Sequence, residues 1–158
     1  MLPSLFGRWQ TRILLFIWIQ LPITFLYALW IAGADSLELP LVRWRIDILP
    51  FQVVCLVLVV GLILDPVYVE IQRFRWDRDW PFAFQFFFSI VEFLIVLGLI
   101  KLDIFPFLRS RTILTAEQYF YVSLHFSLVF LPSFIALLGF VQVFMIRWRF
   151  KGGEWGRM

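Results

Sequence analysis

Long apolar runs separated by short, arginine-rich gaps dominate the chain. Four runs are long enough to cross hydrocarbon, which takes about 20 mostly apolar residues at roughly 1.5 Å of rise each: Arg12–Ala32, Leu49–Ile71, Pro81–Leu102 and Gln118–Ile146. The pattern predicts an all-α integral membrane protein, a four-helix transmembrane bundle forming one domain over residues 1–158, with a short cytoplasmic tail over residues 147–158. The first run is too long for the apolar core of a signal peptide and has no small-residue cleavage site, so it reads as a retained span. Its Trp18, Tyr27 and Trp30 suit interfacial anchoring, where amphipathic rings settle between headgroups and hydrocarbon. The connections Gly33–Ile48, Gln72–Trp80 and Asp103–Glu117 are too short to hold a soluble domain.

Inside the runs, Pro22, Pro66 and Pro132 each remove one intrahelical hydrogen bond, which predicts packing kinks or a gating hinge. Thr115-Ala116-Glu117-Gln118 has the spacing of a capping box at the start of the fourth helix, whose helical pattern then continues to Phe150. The cluster Phe82, Phe84, Phe86, Phe87 and Phe88 follows no single helical face. It is expected to supply bulk toward lipid and partners, with a pigment or quinone cradle as the alternative.

Composition narrows the class further. With 62% hydrophobic and 16% charged residues and a mean hydropathy of +0.88, the chain is not a water-soluble globule. Its 14 Lys and Arg residues sit mainly at the ends of apolar runs, which argues against nucleic acid as a partner and for membrane lipid. One Cys excludes an internal disulfide, and one His without CxxC or HExxH spacing points to no metal site and no cofactor. Counting Lys and Arg on the two sides of four spans places nine on the side of both termini and the middle loop, and five on the other. The excess predicts that both termini are cytoplasmic, and a bacterial inner membrane is the expected location.

Ionisable groups within hydrocarbon cost a few kcal/mol each on insertion scales and so become functional candidates. Three stand out, Asp65 in the second run, Glu92 near the middle of the third and His125 toward the outer part of the fourth. Asp65 could mark the end of its span and reach the headgroups. Glu92 could be a neutral acid, bonded to Ser89, to Gln85 or to a neighbouring helix, and His125 an interfacial or Ser127-linked imidazole. The alternative joins Asp65 and Glu92 in a proton or cation pathway. Arg73, Arg75, Trp76 and Arg78 in the middle loop, with Arg147, Arg149 and Trp155 in the tail, interleave cations with aromatic rings. They are candidates for lipid-headgroup anchoring or for docking a cytoplasmic partner.

The stretch Val69-Glu70-Ile71-Gln72-Arg73-Phe74-Arg75 with Trp76, Asp79 and Glu92, and the ending Gly153-Glu154-Trp155-Gly156-Arg157-Met158, are similar to the C-terminal membrane region of processive family-2 glycosyltransferases. The chain lacks that family's cytoplasmic catalytic domain, its aspartate motifs and its QxxRW acceptor site. The resemblance therefore implies a detached membrane partner in polysaccharide synthesis or export, not catalysis. There is no GxSxG and no phosphate-cradling glycine loop either, so no enzyme activity is expected. The expected role is a small non-catalytic subunit of a larger membrane assembly, associated with other membrane subunits or with copies of itself. The rival is a small transporter or ion-conducting oligomer built on Asp65 and Glu92.

Overall fold

The computed structural model of the chain describes residues 5–38, 48–74, 82–102 and 116–141. Its elements are α1 (Leu5–Leu15), a π turn (Phe16–Gln20), α2 (Leu21–Glu38), α3 (Leu49–Phe74), α4 (Phe82–Lys101), α5 (Ala116–Ala136) and a second π turn (Leu137–Val141). In lipid every backbone N–H and C=O must find its partner within the segment, which is why apolar runs of this length become helices. Four stretches are long and apolar enough to cross a membrane: Leu5–Ile31, Leu49–Phe74, Phe84–Lys101 and Tyr119–Gly139. The protein is a multi-pass membrane protein built as an all-α bundle, and no strand occurs among the described residues.

The first span departs from the sequence reading in its start. It begins at Leu5, not Arg12, so Arg12 lies about a quarter of the way along the span and not at its mouth. Two expected anchors change role with this shift. Trp18 falls at mid-span with 74% of its surface exposed on the lipid side, whereas Tyr27 is buried inside the bundle. Trp9 and Trp30 remain exposed near the two ends of the span.

Pro22 accounts for the π turn before it. A proline ring in a regular helix collides with the carbonyl four residues back, and here the helix widens, with the Leu21 N–H donating to the Phe16 carbonyl five residues back. The extra residue also sets rotation. On an uninterrupted α-helix Arg12 and Thr24 would point about 120° apart at roughly 100° per residue; one residue taken up by the π turn brings them within about 20°. The two halves of the first span can thus bury Arg8 and Leu15 on one side of the turn, and Thr24, Tyr27 and Ala28 on the other, against the same bundle. By contrast, α3 and α5 run on through Pro66 and Pro132.

Helix α3 is the hub, in contact with α1, α2, α4 and α5. Its buried stripe is apolar in one half, where Val53, Leu56 and Val60 pack with Phe93 and Val96 of α4 and Val122 of α5. The stripe turns polar in the other half, at Asp65, Tyr68 and Gln72. Phenylalanines fill the seam between α4 and α5: Phe93 stacks on Phe126 at 4.0 Å, and Phe86 packs on Phe130 and Phe134. Within the phenylalanine cluster only part is outward-facing bulk. Phe87 is 62% exposed, while Phe86 points into this seam and Phe88 lies against Tyr68.

Candidate functional site

The polar half of the α3 stripe faces Arg12 of α1. The guanidinium Nε donates to Asp65 Oδ2 at 2.8 Å and Nη2 to Asp65 Oδ1 at 3.0 Å, while Nη1 and Nη2 donate to Glu92 Oε2 and Oε1 at 3.0 and 2.6 Å. Every oxygen of both carboxylates therefore accepts from one arginine. The planar fork makes this possible, because its N–H groups diverge in the spacing of two carboxylates, which an ammonium cannot match. Asp65 and Glu92 side chains are 1% and 2% exposed, Arg12 18%.

Three spans contribute to this cluster, and depth matches between them. At 1.5 Å per residue Arg12 lies about 10 Å from Leu5, Asp65 about 13 Å from Phe74 and Glu92 about 15 Å from Phe82, all ends on one side of the bundle. One turn nearer that side, the Arg8 Nη2 donates to Gln72 Oε1 at 2.9 Å, and the charge of Asp65 also acts on Arg8. Two arginines thus stand against two carboxylates in a buried set that is neutral in sum. Tyr68, between Asp65 and Gln72 on α3, is 3% exposed and lies in the electrostatic field of Glu92, Arg12 and Asp65.

Gly61 makes room for the arginine. A Cβ built there would fall 2.8 Å from Arg12 Cζ and 3.0 Å from Glu92 Oε2. Any side chain at this position, one turn from Asp65, would displace the guanidinium from its acceptors.

A second polar contact ties the first span to the fourth. The Thr24 hydroxyl donates to the Gln20 carbonyl at 2.7 Å, so its lone pairs receive His125 Nε2 at 3.0 Å. That assigns the proton of the neutral imidazole to Nε2. Tyr27 packs on the His125 ring at 4.8 Å and donates its hydroxyl to the Tyr121 carbonyl at 2.8 Å. The imidazole is 2% exposed, held inside the bundle, and is not linked to Ser127, whose hydroxyl returns to the Ser123 carbonyl. Interhelical hydrogen bonds in membranes average about 0.6 kcal/mol and reach about 1.7. A double-mutant cycle of Thr24→Val and His125→Phe, read from reversible unfolding in bicelles, is expected to return a coupling in that range. A coupling of zero would show that the two side chains do not meet.

Of the sequence candidates, Asp65 and Glu92 are brought together, Glu92 through a neighbouring helix, which is one of its expected partners, and Asp65 in a way not expected. Asp65 does not reach the headgroups, being held inside by Arg12, and Glu92 bonds to a neighbouring helix. Ser89, one of its expected partners, gives its hydroxyl to the Gln85 carbonyl instead. His125 belongs to the separate contact with Thr24. Arg73 is exposed at the end of α3 and pairs with Glu70 at 3.0 Å, a surface pair of small energetic weight. Arg75, Trp76, Arg78, Arg147, Arg149 and Trp155 lie outside the described residues. Sequence reasoning missed Arg12, Arg8, Gly61, Gln72 and Thr24. The available signal was Arg8 and Arg12 one turn apart on one helix face, opposite two carboxylates that need a countercharge. Among the described residues no group of three His, Cys, Asp or Glu side chains is arranged to hold a metal. Comparison with family models, curated proteins and solved structures finds no match.

Proposed function

We propose that the chain is a small non-catalytic subunit of a larger membrane assembly, linked to polysaccharide synthesis or export. The observation that carries the reading is the use of all four carboxylate oxygens of Asp65 and Glu92 by Arg12. A carboxylate that coordinates a travelling cation must offer it uncompensated negative charge, whereas here both charges are neutralised by the one guanidinium and engaged in holding three spans together. The resemblance of the middle loop and tail to glycosyltransferase membrane regions supplies the link to polysaccharide. In this reading both termini face the cytoplasm of a bacterial inner membrane. Arg8 and Arg12, neutralised within the bundle, drop out of the loop charge count, and seven against five still favours that orientation.

Two measurements test the proposal. A cytoplasm-dependent reporter fused after Met158 is expected to be active and one inserted at Ser110 inactive; the reverse pattern would invert the topology. Purified from its native membrane in nanodiscs, the chain is expected to travel at fixed ratio with a membrane protein that bears a glycosyltransferase domain. It is also expected to carry no proton or cation current when reconstituted alone. A current abolished by Asp65→Asn, in a protein that purifies without that partner, would establish the transporter reading instead.

A further inference from the structure

A guanidinium has five N–H groups. Asp65 and Glu92 take four from Arg12, one from Nε, one from Nη1 and two from Nη2. The fifth, on Nη1, is taken by neither carboxylate. Within a bilayer an N–H on a cation is costly to leave unmade. Arg12 borders a half-open pocket of about 70 Å³, whose other polar walls are Gln20, Gln85, Ser89 and Ser133. Both serine hydroxyls donate to their own helices, to the Gln85 and Val129 carbonyls, which leaves their lone pairs as acceptors.

We infer that this cavity is a water-binding site and that its water takes the fifth Arg12 N–H. Size and charge choose among occupants. Sites for sugars, lipid headgroups and other metabolites run to about 300–1,000 Å³, far above this volume, whereas a water needs only about 10–15 Å³ of such space. A metal cation is disfavoured by the guanidinium on the wall, and an anion by the two carboxylates already bound to it. A buried water also needs two to four polar partners, and the Arg12 N–H with the serine oxygens provides them. Hydration of this kind is independent of what the chain assembles with. It completes the hydrogen bonding of the ion cluster and raises the polarity around it, so that the charges are tolerated at this depth.

X-ray radiolytic footprinting reads the site directly, because hydroxyl radicals born from bound water label the rings beside it. In the full-length protein in nanodiscs, Phe130 and Phe134, which line the cavity, are expected to be hydroxylated several-fold faster than Phe93 in the dry core. Ser133→Leu, which fills the space, is expected to reduce Phe130 labelling to the Phe93 level with helix content unchanged. Equal labelling of Phe130, Phe134 and Phe93 in the unmodified protein would show a dry cavity and overturn the inference, and that comparison decides even if the leucine variant does not insert.

Discussion

Arg12→Leu is expected to be the most damaging single substitution in the protein. It leaves two carboxylates, 1% and 2% exposed, without the cation that bridges them. Removing one partner of a buried ion pair costs about 3–5 kcal/mol, chiefly from the orphaned charge, and here two charges are orphaned at once. Against a marginal stability of about 5–15 kcal/mol that loss is a large fraction. Thermal unfolding in detergent, or steric trapping in bicelles, should therefore register a collapse of the folded population. Arg12→Lys should recover only part of it, since an ammonium lacks the fork that serves both acids. The decisive comparison is the triple variant Arg12→Leu/Asp65→Asn/Glu92→Gln, in which no charge remains to be compensated. It should be clearly more stable than Arg12→Leu alone, and failure of that rescue would mean that Arg12 acts through packing rather than charge.

The number of spans was legible because it depends on apolar run length, a property of consecutive residues. The second and third spans agree within three residues at each end with the expected Leu49–Ile71 and Pro81–Leu102. What the run length could not reveal was the start of the first span. An arginine at the edge of an apolar run reads as an interfacial anchor, and Leu5–Gln10 contains enough polarity to look like a lead-in. Only its partners on two other helices show that Arg12 is internal.

The same limit applied within the site. Asp65 and Glu92 were recognisable as costly residues, yet their separation in sequence gives depth and not azimuth, so whether they faced one another was open. Azimuth in the first span is altered by the π turn at Phe16–Gln20, which no apolar period announces and which brings Thr24 round to His125. Pro22 was the visible trace of that turn, legible as a break in bonding but not as a rotation. Tyr27 shows how a plausible local rule yields to packing. Near a span end it is a natural belt residue, but the Tyr121 carbonyl and the His125 ring hold it inside.

Glu92→Lys and Glu92→Gln should separate sharply, and the pair tests whether charge at this position is structural. Gln keeps the shape and one acceptor oxygen, so Arg12 can still donate to it while retaining both bonds to Asp65. Its expected cost is no more than about 1–2 kcal/mol, the scale of a weakened charge-assisted hydrogen bond. Lys replaces the second carboxylate with a third cation among Arg8, Arg12 and the new ammonium, leaving Asp65 as the one anion of the buried set. Like charges at contact distance in low dielectric repel strongly, and the lysine stem is too short from mid-span to reach either headgroup region of a bilayer about 30 Å thick. Membrane insertion scored by glycosylation mapping, together with gel-filtration homogeneity, is expected to be near normal for Gln and severely reduced for Lys. Adding Arg12→Glu to Glu92→Lys exchanges the charges across the same contact and should restore part of the folded yield. If Lys alone were tolerated as well as Gln, the Arg12 cluster would not be what holds the first span to the second and third.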